Sequence, residues 1–185
     1  LDESGLAPES LQQIRHVFTL SEFALTQACR DPQGFLQLMA DGSLEQPHNS
    51  AGMRSELQQL VKACTMEDEL QAVLRRFRNR QQLRIIWRDL TRQTDLNEIT
   101  QELSALADVC ISQAYQRLYE QQCHQNGTPT GRHSGQPQQL VVLAMGKLGA
   151  GELNLSSDVD LIFTYPETGE TVGAKRSLDN QEFFI

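Results

Sequence analysis

Residues 140–163 read LVVLAMGKLGAGELNLSSDVDLIF, and this run carries the strongest signal of the fold. Its first six residues are all apolar, which is typical of a strand that is buried on both faces. Residues 158–165 predict a second, neighbouring strand, and residues 166–169 form the turn that ends it. Between the strands lies a glycine turn that begins at Gly146. We therefore expect the start of a sheet, with the glycine turn between its strands.

Two carboxylates open the second predicted strand, at Asp158 and Asp160. Side chains alternate along a strand, so both carboxylates project from one face, with Cα atoms about 6.6 Å apart. Three apolar residues of this strand then face the core: Val159, Leu161 and Phe163. Like charges at this spacing cost free energy unless a cation lies between them, and Mg²⁺ is suited because it binds carboxylates together with phosphate oxygens. The alternative is a solvated strand end in which Ser156 and Ser157 are turn residues.

The glycine turn has two features that suit a phosphate. Gly146 has no Cβ, so backbone N–H groups can approach a triphosphate closely, unless it is an ordinary turn glycine. Lys147 can pair with a phosphate as a point charge, or lie at the surface. Two other motifs are excluded, because a P-loop needs glycine where Val141 stands and a dinucleotide fingerprint needs it at Asn154. Glu152 is either a third ligand or, more typically, a residue at a helix start.

Apolar residues recur at helical spacing through residues 1–123 and predict a helical bundle. Caps and periodicity together predict helix starts at Glu9, at Asp31, at Ser55, at Thr65 with Asp68 as a capping box, and at Asp95. The first stretch is one kinked helix or two short ones, the second of which begins at Ser21. The last helix runs to about Gln122 and is the longest.

The composition changes after the helices. Residues 124–139 hold three glycines and two prolines without an apolar period, which is typical of a linker. A new unit, residues 140–185, follows. A capped helix start at Ser177 stops before a second turn can bury Phe183 and Phe184. Since the chain also begins without methionine, we expect a fragment with three parts: residues 1–123, 124–139 and 140–185.

Composition excludes several classes of function. A net charge of −8 over 185 residues argues against nucleic-acid binding, in which phosphate neutralisation supplies most of the affinity. No run of about 18 apolar residues and no export leader is present, so we expect a cytoplasmic protein without a membrane-spanning segment. The four cysteines lack Cys-x-x-Cys spacing, and no disulfide is expected in that compartment. After these exclusions, we expect the partner to be a protein or a nucleotide.

Seven of the sixteen basic residues lie between Arg75 and Arg92, and five of them follow at four-residue steps. This arginine stripe runs along one face of the predicted long helix. We favour a solvated face whose ion pairs contribute little. The alternative is a surface for an acidic protein partner or a nucleotide tail.

Residues 146–163 closely resemble the signature of the bacterial glutamine synthetase adenylyltransferase/adenylyl-removing enzymes. Residues 77–80 and 84–89 look like the N-terminal region of the same family, which belongs to the polymerase β type of nucleotidyltransferases. The resemblance implies an α+β fold, in which a helical bundle precedes the first two strands of a truncated nucleotidyltransferase domain. Lys147 stands where Gly or Ser is usual, and no later strand carries a third acid. We therefore expect an incomplete metal site and an isolated chain that is inactive or weak.

Enzymes of this family are bifunctional. One half attaches AMP from ATP to a tyrosine of glutamine synthetase, and the other removes it by phosphorolysis and releases ADP. Residues 152–157, after a helical region, resemble the removing half. The resemblance implies Asp158 and Asp160 as catalytic ligands of Mg²⁺. It also implies nucleotide or phosphate binding by Gly146, Lys147 and Ser157.

The resemblance also implies partners. These are glutamine synthetase, an adenine nucleotide, phosphate and, through the full-length enzyme, the PII signal protein, so that the chain takes part in regulating nitrogen metabolism. Two alternatives stay open. This half could be the ATP-dependent adenylylating one, or the chain could be a non-catalytic docking module whose helices and arginine stripe grip glutamine synthetase.

Overall fold

A computed structural model describes residues 6–185 of the chain. Its helical part has six helices: α1 (Pro8–Leu20), α2 (Glu22–Arg30), α3 (Pro32–Ala40), α4 (Ser50–Lys62), α5 (Glu67–Leu90) and α6 (Leu96–Asn126). Four short strands and two short helices follow: β1 (Thr128–Gly131), β2 (Val141–Ala144), α7 (Gly146–Gly149), β3 (Leu161–Thr164), β4 (Gly169–Val172) and α8 (Asn180–Phe184). Helices followed by strands confirm the predicted α+β class. Within residues 6–185, no helix is long and apolar enough to cross a bilayer.

Side-chain caps explain where most helices begin. Ser21 accepts a hydrogen bond from the third residue of its helix at 3.2 Å, so the first helical stretch is two helices, α1 and α2. Asp31 and Asp95 cap α3 and α6 in the same way, as predicted. The predicted start of α4 at Ser55 is wrong by five residues, because the side chain of Asn49 caps an earlier start.

The acid of the capping box at the start of α5 lies one position after the predicted one. Glu69, not Asp68, accepts the backbone N–H groups of Thr65 and Met66, at 2.8 and 3.2 Å. It also accepts the Thr65 hydroxyl at 3.1 Å. These hydrogen bonds lower the pKa of the Glu69 carboxyl from its ordinary value. The reciprocal acid at the third helical position therefore closes the start of α5.

The helices pack around two apolar clusters that share α5. The first cluster joins α4, α5 and α6, and it includes Leu148 and Leu153 from beyond the helical part. The second joins α1, α2, α3 and the end of α5 around Trp87, the single tryptophan of the chain. Phe35 packs against Trp87 with ring centres 5.9 Å apart. Because Leu148 and Leu153 enter the first cluster, the glycine turn is attached to the helical part.

The prediction of a solvated arginine stripe on α5 is wrong for Arg84, which is only 6% exposed. Its guanidinium donates to the carbonyl oxygens of Ser43 and Gln46, at 2.7 and 2.6 Å, and to the side chain of Gln81 at 2.5 Å. Burial lowers the pKa of Arg84 from its ordinary value, and the carboxylate of Glu102 acts against this shift. Arg84 therefore holds the segment between α3 and α4 in place.

Arg88 is also buried, at 3% exposure, one turn further along α5. It donates to Glu102 at 2.8 Å and to Glu98 at 2.5 Å, both on α6. Glu102 in turn accepts the backbone N–H of His48 at 2.8 Å. The remaining basic residues of the stripe are exposed, as predicted. The α5–α6 pair is thus joined by a buried ion pair and not only by apolar contact.

The strands form two separate antiparallel sheets, β1 with β4 and β2 with β3. β2 and β3 are neighbours, as predicted, and their register places Ala144 opposite Leu161. The predicted linker, residues 124–139, contains the end of α6 and strand β1. Gly127 follows the last residue of α6 and has a φ of +81°, which favours glycine. A Cβ at this position would also lie 2.7 Å from the carbonyl oxygen of Val172. The boundaries between the three predicted parts stay a prediction.

β2 is not buried on both faces, contrary to the prediction. Val141, Leu143 and Ile162 are 44%, 47% and 48% exposed. The predicted core positions Val159 and Phe163 are exposed as well, so only Leu161 of that set packs against the core. The reason is that, of the two strands, only Ala144 and Leu161 pack against the first cluster, and the elements within residues 6–185 leave the exposed strand residues uncovered.

The final helix begins later than predicted and buries more. α8 starts at Asn180, capped by Asp179, and not near Ser177. Phe183 is 8% exposed and lies against Tyr119 of α6, with ring centres 6.0 Å apart. The expectation that Phe183 stays unburied is wrong, because α6 supplies the apolar contact that a second helical turn was expected to supply.

Candidate functional site

The glycine turn joins the end of β2 to a single helical turn, α7. Met145 follows β2, and its backbone N–H donates to the carbonyl oxygen of Asp160 at 2.9 Å. The antiparallel pairing therefore extends by one residue, to Met145 after the end of β2 and to Asp160 before the start of β3. Asp160 lies directly across from the residue that enters the turn.

Two glycines shape the turn for different reasons. Gly146 has a φ of +56°, which favours glycine, and no atom lies within 4 Å of the position that a Cβ would occupy. Gly149 packs closely instead, because a Cβ there would lie 2.3 Å from the carbonyl oxygen of Ala144. The space beside Gly146 is therefore open to a ligand, while Gly149 lets the turn close onto β2.

The segment after α7 is anchored on α6. Leu148 and Leu153 are 9% and 7% exposed and belong to the first apolar cluster. The backbone N–H of Leu153 donates to the hydroxyl of Ser104 at 3.0 Å, in buried surroundings. The Ser104 hydroxyl donates in turn to the carbonyl oxygen of Thr100 at 2.7 Å. These contacts hold the site against the longest helix among the described residues.

Three of the predicted site residues lie in this turn and the segment that follows it. The ammonium of Lys147 donates to the hydroxyl of Ser157 at 3.4 Å, and Lys147 directly follows Gly146. The Ser157 hydroxyl donates to Oδ1 of Asn154 at 2.6 Å. Asn154 was not predicted as a site residue. The spacing of three residues between Asn154 and Ser157, at which Asn side chains often hydrogen-bond in turns, is the signal that points to it.

The two aspartates lie just before β3 and not on it. β3 begins at Leu161, and residues 157–160 are irregular, which corrects the predicted strand start at Asp158. Asp158 and Asp160 are both exposed. Neither carboxylate has an ion pair or a hydrogen bond with another residue in the 6–185 range. The expectation that both side chains project from one strand face therefore stays a prediction, while the structure shows two exposed carboxylates with free oxygens one residue apart in sequence.

Free carboxylate oxygens fit a Mg²⁺ ion whose other ligands are water and phosphate oxygens. Within the described part of the chain, no group of three or more His, Cys, Asp or Glu residues could hold a metal ion. Most of the later acids have structural partners. Glu167 accepts the N–H groups of His133 and Ser134, Glu170 accepts from Ser177, and Asp179 caps α8. A third carboxylate therefore does not come from these residues.

A cleft of about 520 Å³ lies between α6 and the β2–β3 sheet, and Val142, Ala144 and Leu161 are the strand residues that line it. Two tyrosines of α6 line it: the hydroxyl of Tyr115 accepts the backbone N–H of Leu140 at 2.8 Å, and that of Tyr119 donates to the carbonyl oxygen of Gln138 at 2.9 Å. Burial raises the pKa of both tyrosines. Leu161 is the first residue of β3, and neither Asp158 nor Asp160 is among the residues that line the cleft.

Comparisons with known proteins agree on one family. Residues 11–185 match the family model described as glutamate-ammonia ligase adenylyltransferase. Proteins named bifunctional glutamine synthetase adenylyltransferase/adenylyl-removing enzyme are similar to this chain. The Pseudomonas aeruginosa protein is 60% identical over the whole chain, and the Pseudomonas putida protein is 55% identical over the whole chain. The Shewanella loihica protein is 46% identical over 97% of the chain.

The chain spans only a small part of these relatives. It covers 19% of the two Pseudomonas proteins and 18% of the Shewanella protein.

Proposed function

Because this chain belongs to the glutamate-ammonia ligase adenylyltransferase family, we propose that it contributes the first part of a nucleotidyltransferase site that removes AMP from a tyrosine of glutamine synthetase. The reaction is phosphorolysis, so that AMP-tyrosine and phosphate give tyrosine and ADP. One observation carries the proposal: Asp158 and Asp160 are exposed, lie one residue apart in sequence and have no side-chain partner within residues 6–185, beside a glycine turn with a lysine. Exposed carboxylates with free oxygens can exchange bound water for a divalent cation.

The residues present fit a divalent metal. Asp158 and Asp160 would hold Mg²⁺, with the remaining ligands supplied by phosphate oxygens, water and a carboxylate from another part of the full-length protein. When bound, Mg²⁺ stabilises charge on the entering and leaving oxygens. The two carboxylates would thus supply protein oxygens to the cation when it is bound.

The turn residues bind and orient phosphate. The open space at Gly146 admits a phosphate close to the backbone. Lys147 presents its ammonium as a point charge, and Ser157 supplies a hydroxyl beside it. A bond forms between an oxygen of inorganic phosphate and the phosphorus of AMP-tyrosine, and the bond from that phosphorus to the phenolic oxygen breaks.

The departing group is a phenolate, which takes up a proton to become tyrosine. Its conjugate acid has a pKa of about 10, so it leaves more readily when a cation stabilises its charge. No covalent intermediate with the protein is required, since positioning and electrostatics supply most of the rate in phosphoryl transfer.

The choice of the removing half rests on residues 152–157, which follow a helical region as in that half. The adenylylating half is the second candidate, because the same acid pair would serve transfer of AMP from ATP. The docking alternative loses support, since Arg84 and Arg88 of the arginine stripe are buried. We place the protein in the cytoplasm, with PII as a regulator of the full-length enzyme.

The test uses a full-length family protein that carries this segment. Asp158→Asn and Asp160→Asn are introduced together, and AMP on glutamine synthetase is followed by intact mass in both directions. We expect phosphate-dependent removal to fall by at least about 100-fold, because a metal's charge stabilisation amounts to several kcal/mol. Attachment of AMP is expected to continue.

Glu182→Gln is the matched control, because Glu182 is exposed and belongs to another element. It should leave both directions unchanged. Loss of attachment alone would assign the segment to the adenylylating half. Full activity of the double variant in both directions would contradict a catalytic role and leave docking as the remaining function.

A further inference from the structure

Asn154, Ser157 and Lys147 form a chain of side-chain hydrogen bonds in the site. Lys147 donates to the Ser157 hydroxyl at 3.4 Å, and that hydroxyl donates to Asn154 Oδ1 at 2.6 Å. A serine hydroxyl has one hydrogen and two lone pairs. Because Asn154 accepts the hydrogen, a lone pair of Ser157 is free to face the ammonium of Lys147. Asn154 therefore determines the direction of the Ser157 hydroxyl.

The backbone holds Asn154 in place independently of its side chain. The residue before it, Leu153, is buried, and its N–H donates to Ser104 at 3.0 Å. The N–H of Ser157 donates to the carbonyl oxygen of Asn154 at 3.2 Å. Both contacts remain when the Asn154 side chain is changed. A variant at this exposed position should therefore keep the loop and lose only the hydrogen bonds that Asn154 Oδ1 accepts, from Ser157 at 2.6 Å and from Ser156 at 3.5 Å.

We propose that Asn154 is a positioning residue that, through Ser157, directs the ammonium of Lys147 toward the attacking phosphate. The proposal rests on the function proposed above. Without the Asn154 acceptor, the Ser157 hydroxyl rotates freely, and its hydrogen competes with the ammonium for the same space. Lys147 is then less well oriented, and inorganic phosphate binds more weakly.

The test compares variants of the full-length protein that carries this segment. Asn154→Leu removes the acceptor, and we expect the KM for inorganic phosphate to rise about 3- to 10-fold, the effect of one hydrogen bond. The kcat should change less than about twofold, since the aspartates are untouched. Asn154→Gln keeps a side-chain amide acceptor without adding a charge and should raise the KM less than Asn154→Leu does.

Ser157 offers a second matched pair. Ser157→Ala should raise the KM for phosphate as Asn154→Leu does, while Ser157→Thr keeps a hydroxyl and should not. A structural role would predict equal losses for all four variants, together with a lower midpoint of thermal unfolding. That outcome, or an unchanged KM in Asn154→Leu, would overturn the proposal.

A local readout measures Lys147 without using the reaction. Acetylation of lysines by acetic anhydride is followed by peptide mass spectrometry, with the exposed Lys175 as internal reference. Asn154→Leu should raise the labelling rate of Lys147 relative to Lys175, because a Ser157 hydroxyl that rotates freely holds the amine less firmly. An unchanged ratio would contradict the arrangement.

The Asp158→Asn variant separates the two proposals. If it stops removal while Asn154→Leu leaves both the KM and the labelling unchanged, the positioning role fails and the proposed function stands. If Asp158→Asn removes AMP normally, the proposed function fails, and the phosphate-directing role of Asn154 fails with it.

Discussion

The buried arginines of α5 and the exposed aspartates before β3 are the two sets of charges that differ most in this molecule. Arg84 and Arg88 are nearly inaccessible, and each guanidinium donates to two or three protein oxygens. Asp158 and Asp160 are exposed, and no residue in the described part of the chain pairs with them. Charge alone therefore does not distinguish a structural residue from a ligand-binding one.

The difference lies in which partner compensates each charge. A buried charge is strongly unfavourable unless protein groups compensate it, so the arginines depend on their partners for the fold. An exposed carboxylate is compensated by water and can exchange that water for a cation. The arginines thus contribute to stability, and the aspartates are available for chemistry.

The largest expected effect is on stability, at Arg88. Arg88→Met keeps the apolar stem but leaves Glu102 buried without its cation, so the free energy of unfolding should fall by about 3–5 kcal/mol. Urea unfolding followed by the fluorescence of Trp87, which is 1% exposed, measures the change. Arg80→Met is the control, since its ion pair with Glu56 is 3.8 Å long and half-exposed, and should cost less than about 1 kcal/mol. Equal effects would contradict the distinction.

The aspartates should show the opposite behaviour. Asp160→Asn in the full-length protein should lower the rate of AMP removal at least about 100-fold, equivalent to about 2.7 kcal/mol. The free energy of unfolding should change by less than about 0.5 kcal/mol, because the side chain is exposed and unpaired. Parallel measurements of rate and of thermal unfolding check both statements. A destabilised Asp160→Asn protein would place the acid pair in the structure and not in the site.

Ser104 connects α6 to the segment that follows the glycine turn, and its removal should have an intermediate effect on stability. Ser104→Ala leaves the buried N–H of Leu153 without an acceptor, which should cost about 1–3 kcal/mol. Amide hydrogen exchange should become faster at Leu153. Ser112→Ala, at a half-buried position on α6, is the control and should leave exchange at Leu153 unchanged. Slow exchange at Leu153 in Ser104→Ala would show that apolar packing alone holds the segment.

The smallest expected effect is a pH dependence at Glu167. The Ser134 hydroxyl and the N–H groups of His133 and Ser134 donate to its carboxylate and lower its pKa from the ordinary value. A lowered pKa means that the interaction is fully present above the ordinary value of about 4.3 and is lost as the pH falls through the lower, folded value. Amide exchange at Ser134 should therefore lose protection only in acid.

Glu167→Gln is the comparison for this effect. Its amide has no charge to titrate, so protection at Ser134 should be weaker at neutral pH. The loss of protection that the natural chain shows between about pH 5 and pH 2 should be absent in this variant. A pH profile identical to that of the natural chain would show that another group controls the loop.

Much of the candidate site follows from short-range sequence and simple strand pairing. Gly146, Lys147 and Ser157 lie in one turn and its following segment because they are close in sequence, and Asp160 lies across from Met145 because the strands pair as expected. Asn154 and Gly149 were not predicted as site residues, although the spacing between Asn154 and Ser157 is a local signal for the first of them. Their roles depend on which atom each faces, the Ser157 hydroxyl in one case and the Ala144 carbonyl in the other.

The helices and their caps followed from local patterns, because apolar period and capping involve residues three or four positions apart. Ser21 and Asp95 were correct for this reason, and the errors at α4 and α5 were of a few residues. The order of helices before strands also followed from the order of these patterns along the chain.

Burial was different, because it depends on elements that are distant in sequence. β2 looked buried on both faces, yet within residues 6–185 only its Ala144 packs against the first cluster. Arg84 looked solvated, although the segment between α3 and α4 folds over it. Phe183 looked unpaired but lies against Tyr119, 64 positions earlier. The chemistry of a side chain determines which surroundings it tolerates, while the packing of elements distant in sequence determines which groups it contacts.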